Sequence, residues 1–197
     1  MMADILDNYK KFRWFFTSSG KLVAGGKNSK QNDELLNIIK SSGKEFIVMH
    51  TAQPGSPFAV ILADADKTSK KDLEECAVFT ACFSKAWKQR KNMAEVHIFN
   101  TKSLYKMRGM KEGTWGVKEN IKKIRARLNL TLTRQNEVLR AVPDKNAPLI
   151  EGKRIRLSPG KIDKAQLAAK IKAVFGVSLD QQGLLSAVPA GGFKILR

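Results

Sequence analysis

The sequence predicts an α+β fold, with helices packed on a mostly antiparallel sheet and a small C-terminal α/β appendage. Hydrophobic residues make up 43% of the 197 residues, an ordinary fraction for a folded core. Strand-like and helix-like segments mix without a regular β-α-β-α rhythm, and hairpins dominate later. A turn-rich break at 143–148 is the best candidate boundary, so we expect one domain over 1–148 and the appendage over 149–197.

The first predicted elements are a β-hairpin and a helix. The aromatic segment 12–16 precedes a short turn, and residues 21–24 return as the second strand. Ser29 is the expected N-cap of the helix, whose apolar stripe ends before Gly43.

Two further strands, over 45–50 and 58–62, flank a tight turn at 54–57. Ser69 and Asp72 form a capping-box pattern, which predicts a helix running to about Lys88. Apolar residues lie on every side of that helix, so we expect it to be buried. A strand over 95–99 and a basic, glycine-punctuated loop over 101–120 follow.

The clearest periodicity runs from Ile124 to Leu132, where apolar residues alternate strictly with polar ones. A period of two predicts one half-buried strand with a wet face. A weaker strand over 137–142 and an alternating one over 152–157 follow. Asp163 with Gln166, and Ser178 with Gln181, then predict two capped helices ahead of a terminal strand over 193–196.

Charge gives the strongest functional indication. The chain has 36 Lys and Arg against 18 Asp and Glu, a net charge of +18. Such an excess favours a polyanionic partner, a nucleic acid or an anionic membrane surface. The alternative is that the positive charge only keeps the protein soluble in a salty cytoplasm.

Paired glycines directly before a predicted helix form the first candidate binding site. Gly25 and Gly26 allow a close backbone approach, and the helix N-terminus presents free N–H groups. The alternative is a strand–turn–helix junction that needs glycine only for its geometry. The candidate phosphate-binding residues here are Lys27, Asn28, Gln31 and Asn32.

The alternating strand is the second candidate site. Lys123, Arg125 and Arg127 share one face at intervals of about 6.6 Å, a pitch suited to following a nucleic-acid backbone. Arg154 and Arg156 are expected to extend this row from another strand. The alternative is a solvated face whose cations discourage aggregation at a sheet edge.

Two more basic segments are candidates for RNA contact. Lys85 and Lys88 flank Trp87 near the end of the buried helix, where cations also suit the helix dipole in any protein. The loop 102–115 interleaves cations with aromatics and glycines, a composition that suits single-stranded RNA, or simply a mobile loop of a basic protein. Its candidate RNA-binding residues are Lys102, Lys106, Arg108 and Lys111.

Enzymatic and metal sites are not indicated. His50 stands alone and is more typical of a hydrogen-bonded structural residue than of a catalytic base. Cys76 and Cys82 point in different directions on one helix, and with two distant histidines they give no disulfide and no metal-ligand spacing. We expect no catalytic residues, no cofactor, no metal, no membrane segment and a cytoplasmic location.

Several short motifs follow one another in a specific order between residues 12 and 132. They are residues 14–20 (WFFTSSG), Gly25-Gly26-Lys27 with Gln31-Asn32, a strand ending in His50, residues 54–57 (PGSP), residues 81–87 (ACFSKAW) and a lysine-rich loop with Gly109 and Gly113. In this order they resemble the NFACT RNA-binding domain. Residues 154–157, Pro159-Gly160, 164–168 and 188–192 are similar to the end of archaeal NFACT proteins.

The resemblance implies an RNA-binding protein rather than an enzyme. It implies contact with tRNA or ribosomal RNA on the large ribosomal subunit, in quality control of stalled nascent chains. The upstream parts of full-length members are not in this chain, so we expect a stand-alone module, with a separate protein supplying them. The alternatives are an accessory or subunit of an RNA-modification enzyme and a structural ribosome-associated protein.

Overall fold

The computed structural model describes residues 2–118, 121–144, 147–176, 183 and 186–196. Every strand pairing in its three sheets is antiparallel, and the helices pack against these sheets. The predicted α+β class is confirmed. The second helix predicted for the tail, with Ser178 and Gln181 as its cap, lies outside the described residues.

The helices are α1 (Met2–Asp7), α2 (Ser29–Ser41), α3 (Lys70–Cys82), α4 (Lys85–Lys88) and α5 (Lys164–Phe175). The strands are β1 (Arg13–Phe16), β2 (Leu22–Gly25), β3 (Ile47–Thr51), β4 (Ala59–Ile61), β5 (Met93–Asn100), β6 (Leu104–Tyr105), β7 (Gly116–Val117), β8 (Lys122–Arg127), β9 (Leu130–Gln135), β10 (Val138–Val142), β11 (Arg156–Ile162) and β12 (Phe193–Leu196).

The candidate functional site lies at one end of the six-stranded sheet. The strand order is β1-β2-β4-β3-β5-β8, with Arg13 paired to Gly25 and Gly25 paired to Ala59. The ladder continues through β3, so the start of β5 and the end of β8 share this end, where Met93 pairs with Arg127. We call it the Gly25 end.

The two faces of this sheet bury different helices, because successive residues of a strand point to opposite sides. The first face packs on α3 in a core that includes Phe15, Val23, Met49, Ala59, Ile61, Cys76, Ala77 and Phe79. The second face packs on α2 in a core that includes Ala24, Val48, Val60, Phe99, Leu35, Leu36 and Ile39.

Helix α3 begins as predicted and ends earlier than predicted. Ser69 and Asp72 form both hydrogen bonds of the capping box. The helix stops at Cys82, and Ser84 caps the separate helix α4 by accepting from the backbone N–H of Ala86. The predicted single helix to Lys88 is wrong, since the Ser84 hydroxyl favours a new start over continuation.

The single strand predicted over 124–132 is also wrong, because the structure divides it between two sheets. At the break, Leu128 N–H donates to Asn92 O and Asn129 N–H donates to Arg127 O, which turns the chain. Strand β8 keeps one wet face, whereas Leu130 to Thr133 of β9 are all buried. Alternation in the sequence continues across the break because both strands are extended, so a period of two does not register the change of sheet.

The second sheet has the order β10-β9-β11-β12 and packs against the edge of the first. The side chain of Gln135 accepts from Phe16 N–H and donates to Phe16 O, each at 2.8 Å, in the manner of a neighbouring strand. This sheet takes two strands from each side of the predicted boundary at 148. The division into two domains stays a prediction.

Helix α2 is capped one residue earlier than expected. The Asn28 side chain accepts from Gln31 N–H at 2.9 Å, so Asn28 and not Ser29 is the N-cap. Asparagine is among the strongest N-cap residues, and its side-chain oxygen here satisfies the third helical N–H.

Candidate nucleic-acid interface

A groove of about 570 Å³ lies at the Gly25 end. The start of β1, the turn between β2 and α2, the β3–β4 turn, the residue after α3 and the loop 112–115 form its walls. The motifs at 25–27, 50 and 54–57 come from distant parts of the sequence, and the fold brings all of them to this groove. We call it the Gly25 groove.

The turn between β2 and α2 is held by internal hydrogen bonds. Gln31 accepts from Lys27 N–H at 3.0 Å and donates to Lys11 O, while Asn32 accepts from Phe58 N–H. A Cβ on Gly26 would lie within 2.2 Å of the Asn32 side-chain oxygen, so this turn requires glycine. The predicted residues Asn28, Gln31 and Asn32 therefore shape the turn, and Lys27 alone of the four offers an exposed charge to the groove.

Arg13 is a groove residue that the sequence analysis missed. Its guanidinium lies 4.8 Å from the ring centre of Phe83, in a cation–π contact, and its side chain lines the groove together with Lys27. Burial lowers the pKa of Arg13 from its ordinary value. A charged residue inside the otherwise aromatic segment 12–16 was the available indication.

His50 lies on the wall of the groove as a structural residue. Its Nδ1 is 2.7 Å from Thr51 O, and its ring lies 4.5 Å from that of Phe58. Burial lowers the pKa of His50, and the nearby His97 adds to the shift. The ring is therefore neutral at physiological pH.

The predicted row of Lys123, Arg125 and Arg127 lies on the wet face of β8. All three are exposed, while Ile124 and Ala126 between them pack toward α3. This wet face continues the second face of the sheet, which is the side of α2.

One carboxylate approaches this row. Glu95 of β5 pairs across the strands with Arg125 and lies 3.5 Å from Lys123 Nζ. The same oxygen is 3.2 Å from His97 Nε2. Among the described residues, no ion pair involves Arg125 or Arg127, so these two charges are available to a ligand.

The row and the Gly25 groove do not touch. Four inter-strand spacings separate β2 from β8, about 19 Å at ~4.8 Å each. Arg156 belongs to the second sheet, and Arg154 donates to Ala147 O just before it. The prediction that these two arginines extend the row is wrong, because the chain changes sheet after Arg127.

Lys85 and Lys88 are both exposed on α4, and Lys85 lies between the groove and the start of β5. A second cavity of about 330 Å³ lies beside Lys85, bounded by the β3–β4 turn, α4 and the start of β5. Trp87 is fully buried and its Nε1 donates to Gly192 O at 2.9 Å. Its ring serves packing and is closed to base stacking.

The basic loop is ordered against α2. Trp115 is buried and donates to Asp33 Oδ1 at 2.7 Å, and Lys106 Nζ lies 3.0 Å from the same carboxylate. The bonds from Gly113, Lys106 and Trp115 outweigh burial and lower the pKa of Asp33. Lys106 is thus a structural ion-pair member. Among the described residues, the exposed cations of the loop that form no ion pair are Lys102, Arg108 and Lys111.

Both cysteines lie in the core, where burial raises the pKa of each thiol. Among the described residues no group of His, Cys, Asp and Glu could hold a metal ion. Within the same residues, no helix combines the length and apolarity that a membrane crossing requires.

Alanine at Cys76 or Cys82 is expected to cost about 1 kcal/mol of unfolding free energy and to leave RNA affinity unchanged, because each acts as a small apolar group. Urea unfolding and fluorescence anisotropy with a labelled RNA measure the two quantities. Weaker binding at unchanged stability would assign the thiol a part in the site.

Comparisons with known proteins bear on the same region. A family model described as NFACT protein RNA binding domain matches residues 11–119. The archaeal Rqc2 homolog aRqcH of Methanocaldococcus jannaschii is 25% identical over 199 residues, covering 96% of this chain and 29% of that protein. The chain thus spans less than a third of the length of this relative.

A solved structure is also similar. The C-terminal part of the fibronectin/fibrinogen-binding protein from Streptococcus suis is 27% identical, with a TM-score of 0.52. The match covers 59% of this chain and 45% of that chain. The whole Gly25 groove lies within the range of the family match, whereas the row on β8 lies after it.

Proposed function

Because the chain belongs to the family of NFACT protein RNA binding domains, we propose that it binds RNA across the Gly25 end of its sheet, from the Gly25 groove to the row on β8. The observation that carries this proposal is the placement of exposed cations along one end of one sheet. Lys27 stands at β2, Lys85 on α4 in between, and Arg127 at the end of β8. A few nucleotides of single-stranded RNA bridge such a distance.

The finer part of the proposal concerns the RNA and its setting. We propose that the bound RNA is tRNA or ribosomal RNA of the large subunit and that binding serves quality control of stalled nascent chains. Similarity to an archaeal Rqc2 homolog supports this choice of RNA. Since the chain matches only part of that relative, a separate protein is proposed to supply the remaining parts. We propose a cytoplasmic binding module without catalysis of its own.

Sequencing of RNA crosslinked to the protein in cells tests this assignment. Crosslinks concentrated in tRNA and large-subunit ribosomal RNA are expected. Crosslinks spread evenly over messenger RNA would contradict the ribosomal assignment and leave general RNA binding intact.

Salt dependence tests the electrostatic basis of binding. Neutralising each phosphate of a single strand contributes about −0.7 to the slope of log affinity against log salt concentration. With several cations along the Gly25 end, we expect a slope of about −3 or steeper for an unstructured RNA. Anisotropy titrations from low to physiological salt measure it, and an affinity independent of salt would contradict the proposal.

A further inference from the structure

Four cations from distant parts of the sequence converge beside the Gly25 groove. Arg13 and Lys27 line the groove itself. Arg140 of β10 stacks on Trp14, the neighbour of Arg13, with its guanidinium 4.2 Å from the ring centre. Lys164 is the first residue of α5, and the charge of Arg13 is near enough to lower its pKa. We call these four residues the cation cluster.

No ion pair among the described residues includes any of the cluster's four members. The groove does contain Glu112, which is exposed and likewise outside these ion pairs. Positive charges held this close together repel one another, and a partly buried setting strengthens the repulsion.

Arg140 is the most constrained member. It is 6% exposed, Nη1 donates to Ser186 O at 3.2 Å, and Nε has no hydrogen-bond partner among the described residues. Burial, assisted by the nearby charge of Arg13, lowers the pKa of Arg140 to about 10, so it remains protonated at neutral pH. A buried charge with no acidic partner among the described residues is costly, and an anionic ligand would offset that cost.

The pKa values of Lys27 and Lys164 are both lowered, as expected when each lies in the positive electrostatic field of its neighbours. Burial and the charges of Arg13 and Arg140 lower the pKa of Lys27. Burial and the charge of Arg13 also lower the pKa of Lys164. Arg13 is thus the centre of the cluster, and each of the other three lies within its electrostatic reach.

We propose that the cation cluster is a phosphate-binding site for one phosphodiester group of the bound RNA, completed by residues that follow the family-matched region. This inference rests on the proposed function and adds Arg13, Arg140 and Lys164 to the RNA-binding surface. The Arg13 fork and the Lys27 ammonium face the groove and contact the phosphate oxygens, as arginine forks commonly do. Arg140 and Lys164 lie behind them and raise the local potential.

The N-terminus of α2 adds to the same site. Helix α2 is 13 residues long, and Asn28 and Ser29 at its start line the groove beside Lys27. The positive end of its dipole favours an anion there. The ammonium of Lys27, the guanidinium of Arg13 and the N-terminus of α2 therefore all border the Gly25 groove.

The test uses the full chain and an unstructured, fluorescein-labelled oligouridine of about ten nucleotides, a length within known single-strand site sizes. The variants are Arg13→Gln, Lys27→Gln and Lys164→Gln, and the control is Lys170→Gln, which removes an exposed charge from the same helix as Lys164. The slope of log affinity against log salt is expected to become shallower by about 0.7 for Arg13→Gln and Lys27→Gln. Lys164→Gln is expected to lose affinity about threefold, a field effect of ~0.6 kcal/mol, while Lys170→Gln stays at the wild-type value.

The variant Arg13→Lys separates the contribution of the forked guanidinium geometry to RNA affinity from the contribution of its charge. It is expected to restore the wild-type salt slope but only part of the affinity, because an ammonium does not bind two phosphate oxygens in parallel. Lys27 is exposed, so Lys27→Gln is expected to fold even if Arg13→Gln does not.

Inorganic phosphate at constant ionic strength tests the site without RNA. It is expected to raise the Tm of the wild-type protein more than that of Lys27→Gln, by preferential binding to the folded state. The same Tm difference with an unchanged RNA salt slope would overturn the assignment to the RNA backbone in favour of a free phosphate.

Two results separate this inference from the proposed function. A wild-type protein that binds the oligouridine, with Arg13→Gln, Lys27→Gln and Lys164→Gln all at the affinity and slope of Lys170→Gln, overturns the cation cluster and leaves RNA binding intact. A wild-type protein that is stabilised by phosphate through Lys27 and binds no RNA overturns the proposed function instead.

Discussion

The double variant Arg125→Ala/Arg127→Ala is expected to bind RNA about a hundredfold more weakly than wild type. Two charge-assisted contacts of ~1.4 kcal/mol each are lost, and each is worth a factor of about ten. Both side chains are exposed on a strand whose other face is fixed against α3, so their spacing is held in advance of binding. Anisotropy titration at one fixed salt concentration measures the loss.

Lys170→Ala/Lys172→Ala is the matched control, because it removes the same formal charge from α5. Residues two apart on a helix diverge by about 200°, so these lysines do not share one phosphate track. We expect a loss of less than about threefold. Equal losses in the two double variants would mean that diffuse charge alone drives binding, and a larger loss in the control would move the binding surface to the C-terminal segment.

Asp72→Ala is expected to lower the free energy of unfolding by about 3 kcal/mol. The Asp72 carboxylate is fully buried and accepts from Thr17 Oγ1 at 2.6 Å and Ser19 Oγ at 2.5 Å, while also capping α3 at Ser69. It therefore ties the β1–β2 turn to the start of α3. Urea unfolding at neutral pH measures the loss.

The same carboxylate makes stability depend on pH. Burial alone would raise its pKa, but the bonds from Ser19, Thr17 and Ser69 outweigh it and hold the pKa of Asp72 far below its usual range. The folded state thus binds this proton less readily than the unfolded state. The stabilisation is complete above about pH 5 and is lost progressively as the pH falls below it.

Asp72→Asn isolates that contribution, and Asp66→Asn on an exposed turn is its control. We expect Asp72→Asn to be less stable than wild type at pH 7 and to lose less stability between pH 5 and pH 3. Asp66→Asn is expected to follow the wild-type profile. A wild-type acid profile in Asp72→Asn would assign the acid sensitivity to other carboxylates.

Local patterns predicted the elements whose causes lie within a few residues. The capping box at Ser69 and Asp72 starts α3 as expected, because both hydrogen bonds form inside one turn of helix. The alternation of Arg125 and Arg127 with Ile124 and Ala126 placed the wet face of β8, because that face depends only on the side-chain period.

Predictions failed where two possibilities were locally equivalent. Asn28 and Ser29 are both good N-cap residues, and the closing of the turn by Gln31 and Lys27 selects Asn28. The extended backbone on both sides of Leu128 carries the same alternation, so the end of β8 is visible only in the hydrogen bonds of Leu128 and Asn129 and in the change of paired strands.

The sequence alone determined the fold class, the excess of positive charge and the exposed row of cations on β8. The tertiary structure decided which cations share a site. Arg140 and Lys164 lie more than a hundred residues after Arg13, and the second sheet brings them near it by packing against the edge of β1. Periodicity and capping act over a few residues, whereas this convergence depends on burial and on contacts between sheets. For that reason the electrostatic field of the Gly25 groove was not readable from the order of residues.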